Sequence, residues 1–309
     1  MIAFFRLIRF KNLLMIALMQ IILHFCFLKY QNIPVALSDF QFILLVISTL
    51  SIAGAGYIIN NILDQHTDKI NKPDNVVVGL TISETQSYNF YIILNVLGVG
   101  LGFYLSNVVE KPSFAAIFIL ISITLYFYTT NLKQTFIIGN LVASILTSLT
   151  IIIVGIFDLY PILNETNKPF LAIVFKLFLD YALFAFIINF IREIIKDIED
   201  ITGDNEQGMN TLPIVIGSEK TAKLVFFLSF IPTILLLYYV NEYYFQNRLY
   251  WATIFCLAFL IAPMLLFSIK IWSSKTRKDF KNLSGILKLI MFFGVLSIFV
   301  TVFNIKHNA

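Results

Sequence analysis

Charge is scarce in this sequence. Of its 309 residues, 13% are Asp, Glu, Lys or Arg, where a soluble globular domain carries about 25%. That scarcity excludes an ordinary water-facing surface, and with it a soluble fold of one or two domains. Cysteine is scarcer still: Cys26 and Cys256 both sit inside apolar runs, which excludes a disulfide framework and a cysteine-held metal cluster. The formal net charge is only +4, and no nucleic-acid partner is expected from it. Arg6, Arg9 and Lys11 precede an apolar stretch in the manner of a signal peptide. No small-residue cleavage site follows at Phe27-Leu28-Lys29, so the stretch is expected to stay as an uncleaved first span.

What the sequence has in abundance is apolar surface: 59% of the residues are hydrophobic, and the mean hydropathy is +0.85. About 20 consecutive apolar residues suffice to cross a bilayer as a helix. Charged breaks divide the chain into nine such runs, at 12–28, 42–63, 86–106, 113–130, 137–157, 170–191, 223–240, 249–269 and 286–304. With the N-terminus in the cytoplasm, about sixteen of the 22 basic residues fall in inside segments, among them the cluster Lys275, Arg277, Lys278 and Lys281. The expected fold is an all-α polytopic membrane protein of nine transmembrane helices. It forms one domain over 1–309, N-terminus cytoplasmic, in a cell membrane of bacterial or archaeal type. The segments around 64–83 and 192–221 are long and carry acids as well as bases, so chemistry is expected on the cytoplasmic face.

Two acidic patterns stand there. Asn60, Asp64 and Asp68 recur every four residues at the end of the second run, and a continuing helix would stack them on one face. Asp197, Asp200 and Asp204 follow the sixth run at i, i+3 and i+7, with Glu193 one turn earlier. Each pattern leads to a proline and then a glycine, Pro73 to Gly79 and Pro213 to Gly217, which hints at duplication of a four-helix unit. A solvated helix end accounts for most acidic runs. Two on the same side of so apolar a chain point instead to hard-cation chemistry, since Mg²⁺ takes one or two carboxylates together with substrate phosphates. Facing carboxylates could hold Mg²⁺ against a diphosphate.

These residues resemble the UbiA superfamily of intramembrane prenyltransferases. Its Asn-x-x-x-Asp-x-x-x-Asp signature stands as Asn60, Asp64 and Asp68, with Asn71-Lys72-Pro73 behind it. Its second Asp-rich signature is matched by Asp197, Asp200 and Asp204, and Tyr128-Thr129-Thr130-Asn131-Leu132-Lys133 with Gly139-Asn140 resembles a third. The resemblance implies a nine-helix bundle that transfers an isoprenoid chain from a prenyl diphosphate to a lipid or aromatic acceptor, with Mg²⁺ as cofactor. It implies that Asn60, Asp64, Asp68, Asp197, Asp200 and Asp204 hold metal, and that Tyr128 and Lys133 lie by the diphosphate. It also implies that Lys72, Arg192 and Asn140 contact substrate; Lys288, near the cytoplasmic end of the ninth run, is by its position a candidate to hold an anionic acceptor. The run from Arg192 to Asp200, with Gly203-Asp204 and Thr211-Leu212-Pro213, is similar to the digeranylgeranylglyceryl phosphate synthase branch. That branch puts a geranylgeranyl chain on the free hydroxyl of a prenylated glycerol phosphate. Quinone-forming branches with an aromatic acceptor are the alternative. Asn61 and Asn75 depart from the family pattern, the latter where many members carry an arginine.

Other polar residues have plainer readings. Lys176 and Asp180, four apart in the sixth run, are expected to form a bundle-facing ion pair; His24 is expected to bond between helices, and His66 to lie in a loop beside the site. Among the 32 phenylalanines most face lipid or pack between helices, and some could face an allylic cation. A secondary transporter also keeps ionisable residues in a bundle, but at mid-membrane, whereas these acids close the ends of spans. Membrane lipids are expected around the chain, and no obligate protein partner.

Overall fold

The computed structural model describes residues 2–308; the side chains of Asn75 and Asn308 lie outside the described residues, and so does the departure noted at Asn75. The chain is helical throughout, with a single bridge between Val78 and Ile82 in place of any strand among the described residues. A short α1 (Ile2–Leu7) leads into α2 (Phe10–Lys29), α3 (Asp39–Leu63) and the short α4 (Gln65–Asn71). Then come α5 (Glu84–Val108), α6 (Pro112–Thr130), α7 (Ile138–Ile162) and α8 (Lys168–Glu206). After the short α9 (Leu212–Ile216), α10 (Ser218–Phe245), α11 (Tyr250–Ser273) and α12 (Arg277–His307) complete the chain. Among the described residues, nine of these helices are long and apolar enough to cross a membrane, and each carries one of the nine runs read from the sequence.

Local chemistry sets the starts. Ser38 and Ser83 each accept from the backbone N–H three residues on, while Gln41 and Gln86 reach back, forming capping boxes at the heads of α3 and α5. Prolines occupy the first turns of α6, α8 and α9, where their missing N–H costs nothing. Polarity is inverted relative to a soluble protein. Phe40, Ile173, Trp251 and Ile269 are exposed on the outside, while Ser48, Ser144, Ser229 and Ser268 are buried between helices. Small residues let helices approach: Ser48 donates to the carbonyl of Gly98 at 2.7 Å, and a Cβ on Gly98 would lie 2.5 Å from Ile52.

Two large apolar clusters share α8. Phe42, Phe118, Phe157 and Phe178 centre the first, on α3, α6, α7 and the first half of α8. Ile195, Val225, Met264 and Leu287 belong to the second, which ties the later part of α8 to α10–α12. The sixth apolar run stops at 191, yet α8 continues to Glu206 as one helix of 39 residues, about 58 Å long against a hydrocarbon core of about 30 Å. The acids beyond 191 recur at helical spacing, so they extend the helix and do not form a loop.

Two polar expectations need correction. Lys176 is exposed and donates to the Tyr243 hydroxyl at 3.2 Å; no ion pair joins it to Asp180 among the described residues. Tyr243 offers both a hydroxyl and a ring face, 5.7 Å away, to an ammonium that points out of the bundle. His66 lies on α4, not in a loop, and its side chain is exposed. His24, as expected, bonds between helices. It meets Asp158 at 2.7 Å, both residues fully buried, and stacks on Phe42 with ring centres 3.8 Å apart.

Candidate active site

The C-terminal ends of α3, α6 and α8 gather at one end of the bundle, with the N-terminal ends of α2, α7 and α12. Helix α3 ends at Leu63 and Asp64 leaves helical geometry, with φ −89° and ψ 7°. The i to i−4 hydrogen bonds nevertheless run on, from the Asp64 amide to Asn60 at 2.9 Å and from the Asp68 amide to Asp64 at 2.8 Å. Asn60, Asp64 and Asp68 therefore keep a common side across the break. The Asn60 amide donates to Asp64 at 2.7 Å and accepts from Arg9 at 2.9 Å. Opposite, on α8, Asp197 accepts from Asn140 at 2.7 Å, Asp200 pairs with Lys72 at 2.5 Å, and Asp204 is buried. Lys133 forms an ion pair with Asp64.

One side chain fastens the two patterns together. Asn71, 3% exposed at the end of α4, donates to the Asp200 carbonyl at 2.8 Å and accepts from the Gly203 amide at 3.0 Å. It fits because Gly203 has no side chain: a Cβ there would lie 2.6 Å from the Asn71 amide nitrogen. Arg277, at the head of α12, donates to the Asn71 carbonyl and so closes the same junction from a third helix. Gly203 and Asn71 thus hold the two carboxylate patterns at a fixed distance.

A cavity of about 1030 Å³ opens between the patterns and runs into the bundle. All twelve residues proposed from the sequence for metal, diphosphate or acceptor line it. Its inner part is apolar, walled by Ile52, Leu125 and Leu146, and it ends near Thr49, Phe118 and Ile153. Beneath that end Gln20, fully buried, donates to Thr49 at 3.3 Å and to the Thr150 carbonyl at 3.0 Å, tying α2, α3 and α7. A smaller apolar cavity of about 120 Å³ adjoins it at Ile16, Thr147 and Thr150, bounded by α2, α7, α8 and α12.

The donor set suits a hard divalent ion. It consists of carboxylate oxygens, and the buried Asp200 Oδ1 has no hydrogen-bond partner. Among the described residues no three His, Cys, Asp or Glu side chains converge into a closed metal site. An ion held here must complete its shell with water or ligand oxygens, as Mg²⁺ habitually does. Burial raises the proton affinity of Asp68, against the opposing charges of Arg9 and Lys72. Burial also pushes the Lys133 ammonium down to about 8, against the pull of Asp204.

Sequence reasoning passed over several residues that the cavity contains. In the sequence Arg9 reads only as part of the basic start before the first span, yet it turns inward to Asn60 and lies 5.3 Å from the centre of the Tyr57 ring. Lys196 joins Glu193 at 2.8 Å, and Arg192 joins the same carboxylate at 3.3 Å. The helical spacing of Arg192, Glu193 and Lys196 carried that signal; for Arg9 the sequence carried none.

Comparison with known proteins agrees with this geometry. Digeranylgeranylglyceryl phosphate synthase of Methanobrevibacter smithii is 31% identical over 268 residues, covering 86% of this chain and 89% of that protein. A solved structure of a digeranylgeranylglyceryl phosphate synthase has a TM-score of 0.62 at 24% identity, covering 97% of each chain. A UbiA homolog from Archaeoglobus fulgidus, solved bound to GPP and Mg²⁺, has a TM-score of 0.57 at 16% identity, covering 96% of this chain and 99% of that one. Residues 15–296 match the UbiA prenyltransferase family, and with a cavity faced by both acidic signatures inside a bundle of nine candidate spans among the described residues, the chain belongs to that family.

Proposed function

We propose that this protein transfers a geranylgeranyl chain from its diphosphate to the free hydroxyl of a prenylglyceryl phosphate, with Mg²⁺ as cofactor. The observation that carries this reading is the pairing of two carboxylate patterns across the mouth of one apolar chamber. A diphosphate needs cations and a polar mouth, its isoprenoid tail needs a dry chamber, and here the two are continuous. Relatives named digeranylgeranylglyceryl phosphate synthase support the acceptor class, and the homolog solved with GPP and Mg²⁺ supports the donor and the metal.

In this reading Asp64 and Asp68 face Asp197, Asp200 and Asp204 as the groups that hold Mg²⁺, with Asn60 beside them. When bound, Mg²⁺ supplies positive charge that stabilises the departing diphosphate. Lys133 and Lys72, which pair with Asp64 and Asp200, donate to the same phosphates, and Tyr128 borders them from α6. The allylic C–O bond breaks, the acceptor oxygen bonds to the freed carbon, and diphosphate and a proton leave. The apolar wall keeps water from the cation, and fixed dipoles and charges oppose the charge on the leaving group.

The mouth faces the cytoplasm, where the basic residues of the chain concentrate, and the chain works as a single domain. The test is purified protein with geranylgeranyl diphosphate, Mg²⁺ and either geranylgeranylglyceryl phosphate or aromatic acids, with product mass measured. The ether lipid is the expected product. Turnover with aromatic acids alone overturns the acceptor.

A further inference from the structure

The cavity sorts its charges. Three acids hold basic partners: Asp64 with Lys133, Asp200 with Lys72, and Glu193 with both Arg192 and Lys196, while Asp197 is met by a neutral amide. On the side formed by α2 and α12 the balance reverses. Arg9, Lys11 and Lys288 line the same cavity with no carboxylate paired to them among the described residues. Arg9 and Lys288 hydrogen-bond only the neutral amides of Asn60 and Asn12, at 2.9 and 2.7 Å. Arg192 lies within electrostatic reach of Lys288, as Arg9 and Lys11 do, and its Nε is buried without a hydrogen-bond partner. Arg9 and Lys288 are half-buried and Lys11 is exposed, and cations gathered with no carboxylate in direct contact favour an anion that joins them.

The backbone at Arg9 makes the cluster harder to dismiss. This residue sits at the break between α1 and α2 with φ 49° and ψ 52°, a left-handed conformation that an L side chain adopts at a cost. The kink turns the guanidinium to Asn60 and the Tyr57 ring. The second, smaller cavity begins about one turn deeper on the same two helices. Met15 and Ile16 follow Asn12 on α2, and Ile290 and Met291 follow Lys288 on α12. Arg9, Lys11 and Lys288, outside any ion pair among the described residues, thus line the main cavity about one turn from an apolar cleft that adjoins it.

We propose that Arg9, Lys11, Arg192 and Lys288 form the seat of a phosphate monoester carried on an isoprenoid chain, with the phosphate among the cations and the start of the chain entering the smaller cavity. This rests on the reading of the acceptor as a prenylglyceryl phosphate and says where its head binds. The donor diphosphate keeps the carboxylate side and its lysines, so two anionic heads share one cavity without sharing partners.

The test is direct binding of geranylgeranylglyceryl phosphate and of its unphosphorylated diol to the protein in neutral phosphatidylcholine nanodiscs, with steady-state kinetics alongside. Arg9→Gly is the main variant because glycine accepts the left-handed backbone, so the fold is retained while the guanidinium is removed. Lys288→Met is the second. Wild type binds the phosphorylated lipid at least about tenfold tighter than the diol, and either variant erases most of that preference while the KM for donor changes less than about threefold. Equal binding of the two lipids, an unchanged preference in both variants, or a donor KM that rises in step overturns the seat. Displacement of the acceptor by phosphatidylglycerol at comparable concentration reassigns these cations to ordinary bilayer anions and also overturns it. If the preference depends on Arg9 and Lys288 but only aromatic acids are prenylated, the seat stands and the proposed acceptor falls.

Discussion

Replacing Gly203 by alanine tests the junction that brings the two acidic patterns together. In an open helix position this change stabilises, because alanine restricts the unfolded chain and favours the helix by about 1 kcal/mol. At Gly203 the new methyl would lie 2.6 Å from the Asn71 amide nitrogen, and Asn71 must withdraw. It then loses two hydrogen bonds, each contributing about 0.5–1.5 kcal/mol net, and its buried amide is left unpartnered at a cost of about 1–3 kcal/mol. The sum, about 2–6 kcal/mol lost against about 1 gained, predicts net destabilisation and a wider gap between Asp68 and Asp200. The assay is thermal unfolding in detergent together with prenyl transfer. Gly285→Ala and Gly294→Ala serve as controls, since a Cβ at either position meets nothing within 4 Å. Asn71→Ala should cost much less in the Gly203→Ala background than alone, because both changes disrupt one contact. A Gly203→Ala protein as stable and active as the controls would refute the Asn71 wedge.

Three further outcomes follow from the same structure. Asp64→Asn or Asp200→Asn should lower turnover by about a hundredfold or more, on the scale of losing one pre-organised electrostatic contact, with the protein still inserted; EDTA should stop the wild type and added Mg²⁺ restore it. Reporters fused after Lys278 and at the C-terminus should lie on opposite sides of the membrane, the first in the cytoplasm, and the same side for both would remove the ninth span. His24→Leu should destabilise by about 3–5 kcal/mol, because it leaves Asp158 buried without its partner, and His24→Leu with Asp158→Leu should recover part of that loss in an unfolding assay.

How far the fold was legible follows from what each signal depends on. Apolar length is a local property, so the nine spans could be read directly, and so could the helical spacing of Asn60, Asp64 and Asp68. The sixth apolar run stops at 191, and the length of the helix beyond it was not legible there, because charge ends an apolar run, whereas α8 continues to Glu206 by turning its charged face to a cavity. Pairings across the chain were out of reach. Asp158 is 134 residues from His24, and Asn71 is 132 from Gly203; composition gives no means of matching them. Lys176 was assigned to Asp180 by spacing alone, but the helix turns its ammonium outward to Tyr243. Arg9 shows the limit most clearly, since only the left-handed turn between α1 and α2 distinguishes it from Arg6.

The Gln20 brace turns the depth of the main cavity into a ruler. Along α3, Asp64 and Thr49 are separated by about 22 Å at 1.5 Å per residue, and both line the cavity. An extended carbon chain advances about 1.2 Å per bond on the dimensions of an extended backbone, so that depth shelters about 18 bonds. The main chain of a four-unit isoprenoid has about 16, and with its head at the carboxylates, as proposed, it would fit straight in that length. A fifth unit would meet Thr49 and the Thr150 backbone, which Gln20 holds from below. It would have to bend toward the smaller cavity or leave its end in lipid, so in the proposed reaction the length of the chain would be read some 20 Å from the bond that breaks.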